Sequence, residues 1–121
     1  MEKYSINGVS LIKNEKAIFP MMGEFHFSRC PEKEWEDEIR KMKACGMDII
    51  ATYVFWIHHE EEEGVFDFTG QRNLHRFLEL CEKWQMHVWL RIGPWAHGEA
   101  RNGGFPDWLL KKGYKLRSDD P

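Results

Sequence analysis

The sequence predicts an α/β fold in which parallel strands alternate with helices. Two observations carry this. Residues 48–56 and 87–92 are short, nearly continuous runs of apolar and β-prone side chains, as expected of strands covered on both faces in a parallel sheet. Between and before them lie stretches whose apolar residues recur at helical spacing, so the order reads β, α, β, α, β. Right-handed crossovers then follow for each pair of neighbouring strands.

The elements can be justified in order. Residues 4–18 alternate loosely around Asn7-Gly8 and Lys13-Asn14-Glu15-Lys16. Asn-Gly between apolar residues signals a hairpin, so a small antiparallel strand pair is expected over residues 1–18 as a lead-in. Residues 18–27 read as the first buried strand, with Pro20 tolerated near its start. Pro31 opens a helix, where its missing N–H costs nothing. Glu32, Glu34, Glu36 and Asp37 suit the positive end of the helix dipole. Trp35, Ile39 and Met42 share one face, and Gly46 after Cys45 reads as the stop. After the strand at 48–56 comes a long loop, 57–72, of the kind that is usually functional or partly structured. Asn73 to Trp84 places Leu74, Phe77, Leu78, Cys81 and Trp84 on one helical stripe. The strand at 87–92 ends at Gly93-Pro94. A loop to Gly104 precedes a short helix at about 106–112.

Composition narrows the function classes. The chain has 121 residues and a net charge of −3, which gives no electrostatic footprint for nucleic acid or anionic lipid. No apolar run approaches the roughly 18 residues of a membrane span. The N-terminus carries no apolar signal core, and the sequence assigns no compartment. Cys30, Cys45 and Cys81 are odd in number, widely spaced and without a CxxC, so reduced thiols are expected rather than a disulfide framework. Aromatic residues make up 14% of the chain and cluster at 52–68 and 89–108. They could serve as core or as flat walls for a sugar ring.

Doubly wound sheets and (β/α)8 barrels both fit the element order. The phosphate-binding fingerprints GxGxxG and GxxxxGK[ST] are absent. Polar and aromatic residues gather after the strand ends, at 24–29, 53–63 and 91–102, which in a barrel share the C-terminal face where chemistry sits. Glu24 and His26, two apart on a strand, point the same way and either line such a mouth or form a polar pair lower down. Tyr53 and Trp56 end the second strand. Arg91 ends the third and could orient a carboxylate or sit in an ordinary buried ion pair. His58, His59 and Glu60, beside His97 and Glu99, could be read as metal ligands, but HxxxH and HxH spacings are missing. Glu60–Glu63 reads as a solvated face. Glu99 is the best single carboxylate for a substrate, as an acceptor of hydroxyls or as an acid/base.

Gly23-Glu24-Phe25-His26-Phe27-Ser28-Arg29, Thr52-Tyr53-Val54-Phe55-Trp56 with His59-Glu60, and Gly64-Val65-Phe66-Asp67-Phe68 together resemble the opening of glycoside hydrolase family 35, the β-galactosidases. Leu90-Arg91-Ile92-Gly93-Pro94-Trp95, Gly98-Glu99, Gly103-Gly104-Phe105-Pro106-Asp107-Trp108-Leu109-Leu110 and Leu116–Pro121 continue the resemblance to the end of the chain. It implies the N-terminal portion of a (β/α)8 TIM barrel, about three βα units over residues 19–121 preceded by the hairpin. A full barrel is typically about 250 residues. It also implies retaining release of terminal β-linked galactose, from glycans or galactosides, by two glutamates about 5–5.5 Å apart. In the family both glutamates lie on later strands, so no catalytic residue is expected within this chain, and neither a metal nor an organic cofactor. The residues that match the family's sugar pocket are Tyr53, His97, Gly98 and Glu99. His97 stands where Cys or Asn is usual, Gly98 where Ala is usual, Trp95 for Tyr, and Ala100 for a larger residue. The unpaired barrel edges offer a route to self-association. The rival readings are a non-catalytic carbohydrate-binding remnant and a metal-dependent barrel hydrolase.

Overall fold

A computed structural model describes residues 2–119. The described residues form two three-stranded sheets, one antiparallel and one parallel, with helices packed on the parallel one. The lead-in contains three strands rather than the expected pair: β1 (Tyr4–Ile6), β2 (Leu11–Lys13) and β3 (Lys16–Ile18). At the first turn, the Asn7 side chain accepts from the N–H groups of Val9 and Ser10 at 3.0 and 2.7 Å. The extra strand arises because Lys13-Asn14-Glu15-Lys16 is itself a two-residue hairpin. Asn14 and Glu15 both have positive φ, 48° and 68°, as a type I′ turn requires. The segment 18–27 is consequently divided. Ile18 completes β3, and only Met22–Glu24 forms β4, after Pro20 interrupts the pairing.

The parallel sheet has the order β4, β5 (Ile49–Tyr53), β6 (His87–Arg91), with rows such as Gly23–Ile50–Val88 and Glu24–Ala51–Trp89. Helix α1 (Trp35–Ala44) connects β4 to β5. Its preceding turn, Glu32–Glu34, is 3-10. Gly46, at φ 84°, takes the left-handed position past its end, and its N–H donates to the Lys43 carbonyl at 3.0 Å. A short helix α2 (Trp56–His59), a bridge between Glu62 and Val65 and a 3-10 turn at Gly70–Arg72 fill the long loop, which is therefore partly structured. Helix α3 (Leu74–Lys83) begins at Asn73, whose side chain caps the Arg76 N–H at 2.9 Å. Helix α4 (Asp107–Lys111) follows Pro106.

Alternation divides the parallel sheet into two faces. Ile50 and Val88 face the helices and join a core of Phe27, Trp35, Ile39, Phe77, Leu80, Cys81 and Met86. Rings of Phe27 and Phe77 stack at 5.0 Å, with Trp35 edge-on to both. Burial inside this core pushes the Cys81 thiol up to about 12, so it is an inert structural cysteine at neutral pH. Glu24, Ala51, Trp89, Tyr53 and Arg91 lie on the opposite face.

The expectation of three buried strands holds for β5 alone, where Ile50 to Tyr53 are buried. Met22 on β4 and Trp89 on β6 are more than half exposed. Among the described residues each of these strands has a neighbour on one side only, and the face bearing Trp89 carries no covering helix. No helix among the described residues is long and apolar enough to cross a membrane.

Candidate functional site

The parallel register brings the C-terminal ends of β4, β5 and β6 side by side, and with them Glu24, Tyr53 and Arg91. Tyr53 is the centre of the cluster and is buried. The Arg91 guanidinium lies 3.8 Å from its ring centroid, a close cation–π contact. His26 stands edge-on to Tyr53 and to Phe55, at 5.5 Å from each. One carboxylate oxygen of Glu24, Oε1, accepts from both Arg91 Nη2 and His26 Nε2. Burial opposes the ionisation of Glu24, but the hydrogen bonds from His26 and Arg91 outweigh it and hold the carboxyl below the usual carboxylate range. The Arg91 Nε is buried without a hydrogen-bond partner among the described residues.

The loop after β6 closes over this cluster. The His97 backbone N–H donates to the Tyr53 hydroxyl at 3.2 Å. Gly98 sits so close that a Cβ there would lie 3.2 Å from the Tyr53 ring and 3.3 Å from His26 Cε1. Arg29 donates to the Glu99 carbonyl at 2.9 Å, and its guanidinium lies 5.2 Å from the Phe55 ring centroid. The Glu99 carboxylate is exposed, with no hydrogen-bond partner among the described residues. Farther along, Gly103 has a φ of 63°, and a Cβ on it would fall 1.8 Å from the Trp95 ring. Trp95 is covered from another side by the Arg117 guanidinium at 4.4 Å. A glycine at 103 is thus what allows Trp95 to lie flat inside its own loop.

The four expected sugar-pocket residues, Tyr53, His97, Gly98 and Glu99, are therefore brought to one place, with His97 and Glu99 exposed on the loop. Glu24, His26 and Arg91, which the sequence allowed as either pocket or structural residues, form one ion-paired group beside them. Sequence reasoning missed Arg29 as the residue that fixes the Glu99 backbone. Its only signal was its place at the end of the Gly23–Arg29 motif.

The His58–Glu63 segment departs from expectation. Glu60 is buried rather than solvated. It accepts from Trp56 Nε1 and from the Gly64 N–H at 2.7 Å, while its carbonyl accepts from Trp108 Nε1 at 3.0 Å. Helix α2 turns this residue inward, so Glu60 pins the loop to the aromatic cluster of Trp56, Phe105 and Trp108. Glu61, Glu62 and Glu63 remain exposed. His59 is also buried, stacked on Phe68 at 4.7 Å, with Nδ1 donating to the Asp67 carbonyl at 3.0 Å. Among the described residues no three or more of His, Cys, Asp and Glu are grouped to hold a metal ion.

The two histidines yield a pH prediction. Burial lowers the pKa of both His58 and His59, in His59 against an opposing hydrogen bond to the Asp67 carbonyl. The unfolded chain binds their protons more readily, so their contribution is intact above the unfolded value of about 6.5 and is lost as pH falls through the lower folded values. The melting temperature should drop between about pH 7.5 and pH 5.5, and His59→Leu should flatten that drop. A flat profile in the parent protein would contradict this.

Residues 10–121 match the sequence model for glycosyl hydrolases family 35. The chain is 45% identical over 112 residues to an exo-beta-D-glucosaminidase of Pyrococcus horikoshii, covering 89% of this chain and 14% of that protein. It is 35% identical over 119 residues to a beta-galactosidase of Xanthomonas manihotis, covering 98% of this chain and 20% of the relative. It is 42% identical over 112 residues to the human beta-galactosidase-1-like protein 2, covering 92% and 18%. The chain thus spans a fifth or less of the length of these relatives. Among solved structures, the crystal structure of a beta-galactosidase from the psychrophilic Marinomonas ef1 superimposes with a TM-score of 0.65 at 16% identity. It covers 78% of this chain and 13% of that one, a likeness of fold.

Proposed function

The chain belongs to glycosyl hydrolases family 35, and on that premise we propose that it is the first part of the catalytic (β/α)8 barrel of a retaining glycosidase that releases terminal β-linked galactose. In this reading residues 1–18 are the lead-in and residues 19–121 supply about three βα units of the barrel. Tyr53, His97, Gly98 and Glu99 hold the sugar, and the acid/base and the nucleophile come from strands beyond this chain.

One observation carries the reading. The Tyr53 hydroxyl accepts the His97 N–H at the C-terminal ends of parallel strands, with the free Glu99 carboxylate two residues farther along. Because that hydroxyl already accepts from the backbone, its own proton is left to donate to a ligand oxygen. A carboxylate offers about four lone-pair sites and can take two sugar hydroxyls at once. Gly98 lets the loop backbone approach the Tyr53 face without a side chain in the way. These groups bind and orient a sugar, and they need no cofactor to do so.

A second reading concerns the sugar. The relatives from Pyrococcus horikoshii and Thermococcus kodakarensis, 45% and 38% identical, are exo-beta-D-glucosaminidases. An amino sugar would bring an ammonium group to a site that already presents the exposed carboxylate of Glu99.

The test is steady-state hydrolysis of an aryl β-galactoside and an aryl β-glucosaminide by the full-length protein. Turnover of the galactoside supports the proposal, preference for the glucosaminide moves it to the second reading, and inactivity on both overturns it. The isolated 121-residue chain is expected to turn over neither, and its open β4 and β6 edges to drive self-association. Robust hydrolysis by the isolated chain would refute the assignment of both catalytic glutamates to later strands.

A further inference from the structure

We propose that Glu24 is a positioning residue for sugar binding, clamping the two groups that flank the Tyr53 ring and thereby aligning its hydroxyl with the loop at His97–Glu99. The proposal rests on the reading that Tyr53 and Glu99 hold the sugar. Its geometry stands apart from that reading.

The Tyr53 ring has two flanking neighbours besides Phe55. Arg91 lies on its face, and His26 stands against its edge and against Gly98. Packing holds His26 against Tyr53, Phe55 and Gly98 but leaves its ring rotation to be set, and it does not hold Arg91. Arg91 is a third exposed and its buried Nε has no partner among the described residues, so a guanidinium released from its counter-ion gains by swinging out to water. His26 is an imidazole that can turn about its own side-chain bonds. A single oxygen, Glu24 Oε1, takes a hydrogen bond from each. Charge-assisted bonds of this kind are about twice as strong as neutral ones. One atom therefore sets both flanks of the ring, and the ring carries the hydroxyl that the His97 N–H reaches across 44 residues of sequence. Glu24 itself lies on the face of the sheet that bears Tyr53 and Arg91. Its second oxygen has no bond to any described residue, so a direct contact with sugar is the alternative that the experiment must separate.

The experiment compares full-length wild-type protein with Glu24→Ala and Glu24→Gln. Two quantities are read: the KM and kcat for whichever aryl glycoside the protein hydrolyses, and the exchange rate of the His97 amide. Loss of alignment weakens ground state and transition state alike, so KM should rise about tenfold in Glu24→Ala with kcat changed less than about twofold. The His97 amide should exchange about fivefold faster or more, because its acceptor has lost its fixed place. Glu24→Gln retains an acceptor oxygen without the charge, and should fall between wild type and alanine on both readings. It also serves if the alanine variant fails to fold. An unchanged His97 exchange rate overturns the proposal even if KM rises, since Glu24 would then act on the sugar directly. Faster exchange with an unchanged KM also overturns it. If the full-length protein hydrolyses neither glycoside, the functional reading fails, and His97 exchange alone decides whether the clamp holds Tyr53.

Discussion

Glu99→Ala in the full-length enzyme is expected to lower kcat/KM for its glycoside by about 10²–10⁴, from two lost charge-assisted hydrogen bonds at roughly 1.5–3 kcal/mol each. Of the residues proposed to hold the sugar, Glu99 alone presents a side-chain carboxylate, and it has no partner among the described residues, so its hydrogen-bonding capacity is left for a ligand. The backbone should survive the change, because Arg29 grips the Glu99 carbonyl and not its carboxylate. A loss of activity would therefore report the missing carboxylate rather than a displaced loop. Glu99→Gln keeps one acceptor oxygen and should lose less. Glu82→Ala, which removes an exposed carboxylate on α3, should leave the kinetics unchanged and controls for net charge. A loss smaller than about tenfold in Glu99→Ala would remove this residue from the pocket.

How far the sequence could reach is visible in particular residues. Helices α1 and α3 were legible because the apolar stripes through Trp35–Ile39 and Phe77–Cys81 have one period and clear ends, Gly46 and Asn73. Strand β5 was legible as a run of apolar and β-prone residues covered on both faces. Strand β4 was not, because a run from Ile18 to Phe27 does not announce that Pro20 divides it between two sheets. The exposure of Met22 and Trp89 was equally hidden, since burial depends on neighbours that a local pattern does not specify. Glu60 misled for a related reason. Four consecutive glutamates look solvated, yet the inward turn of α2 buries the first of them against two indoles and a backbone N–H. In the site, the clustering of polar residues after the strand ends was readable from spacing. The Tyr53–His97 contact and the sharing of Glu24 between His26 and Arg91 depend on register between strands, which only the folded chain fixes.

The largest expected loss of stability is from Trp35→Ala, about 3–5 kcal/mol for truncating a large buried aromatic. Trp35 is fully buried, packs edge-on against Phe27 and Phe77, and donates its indole N–H to the carbonyls of Phe27 and Cys30 at 2.9 Å each. The hydrogen bonds contribute the smaller share. The Phe27 carbonyl also accepts the Cys30 N–H, and the Cys30 carbonyl also accepts from Gln71, so neither is orphaned by the substitution. The cavity is then the dominant cost, and it opens where α1, α3 and the segment after β4 meet. Set against a typical domain stability of about 5–15 kcal/mol, the loss takes about a fifth or more of the whole. Trp35→Phe keeps most of the ring volume and should cost well under half as much. Thermal melts of the three proteins measure this order, and an alanine variant that melts within about 2 °C of wild type would show that the indole is not the centre of the core. The effect should extend to the sugar site. Phe27 lies between His26 and Arg29, the residues that touch Tyr53 and the Glu99 backbone. A cavity beneath Phe27 therefore loosens both from below, and sugar binding in Trp35→Ala should weaken at temperatures where the protein is still folded.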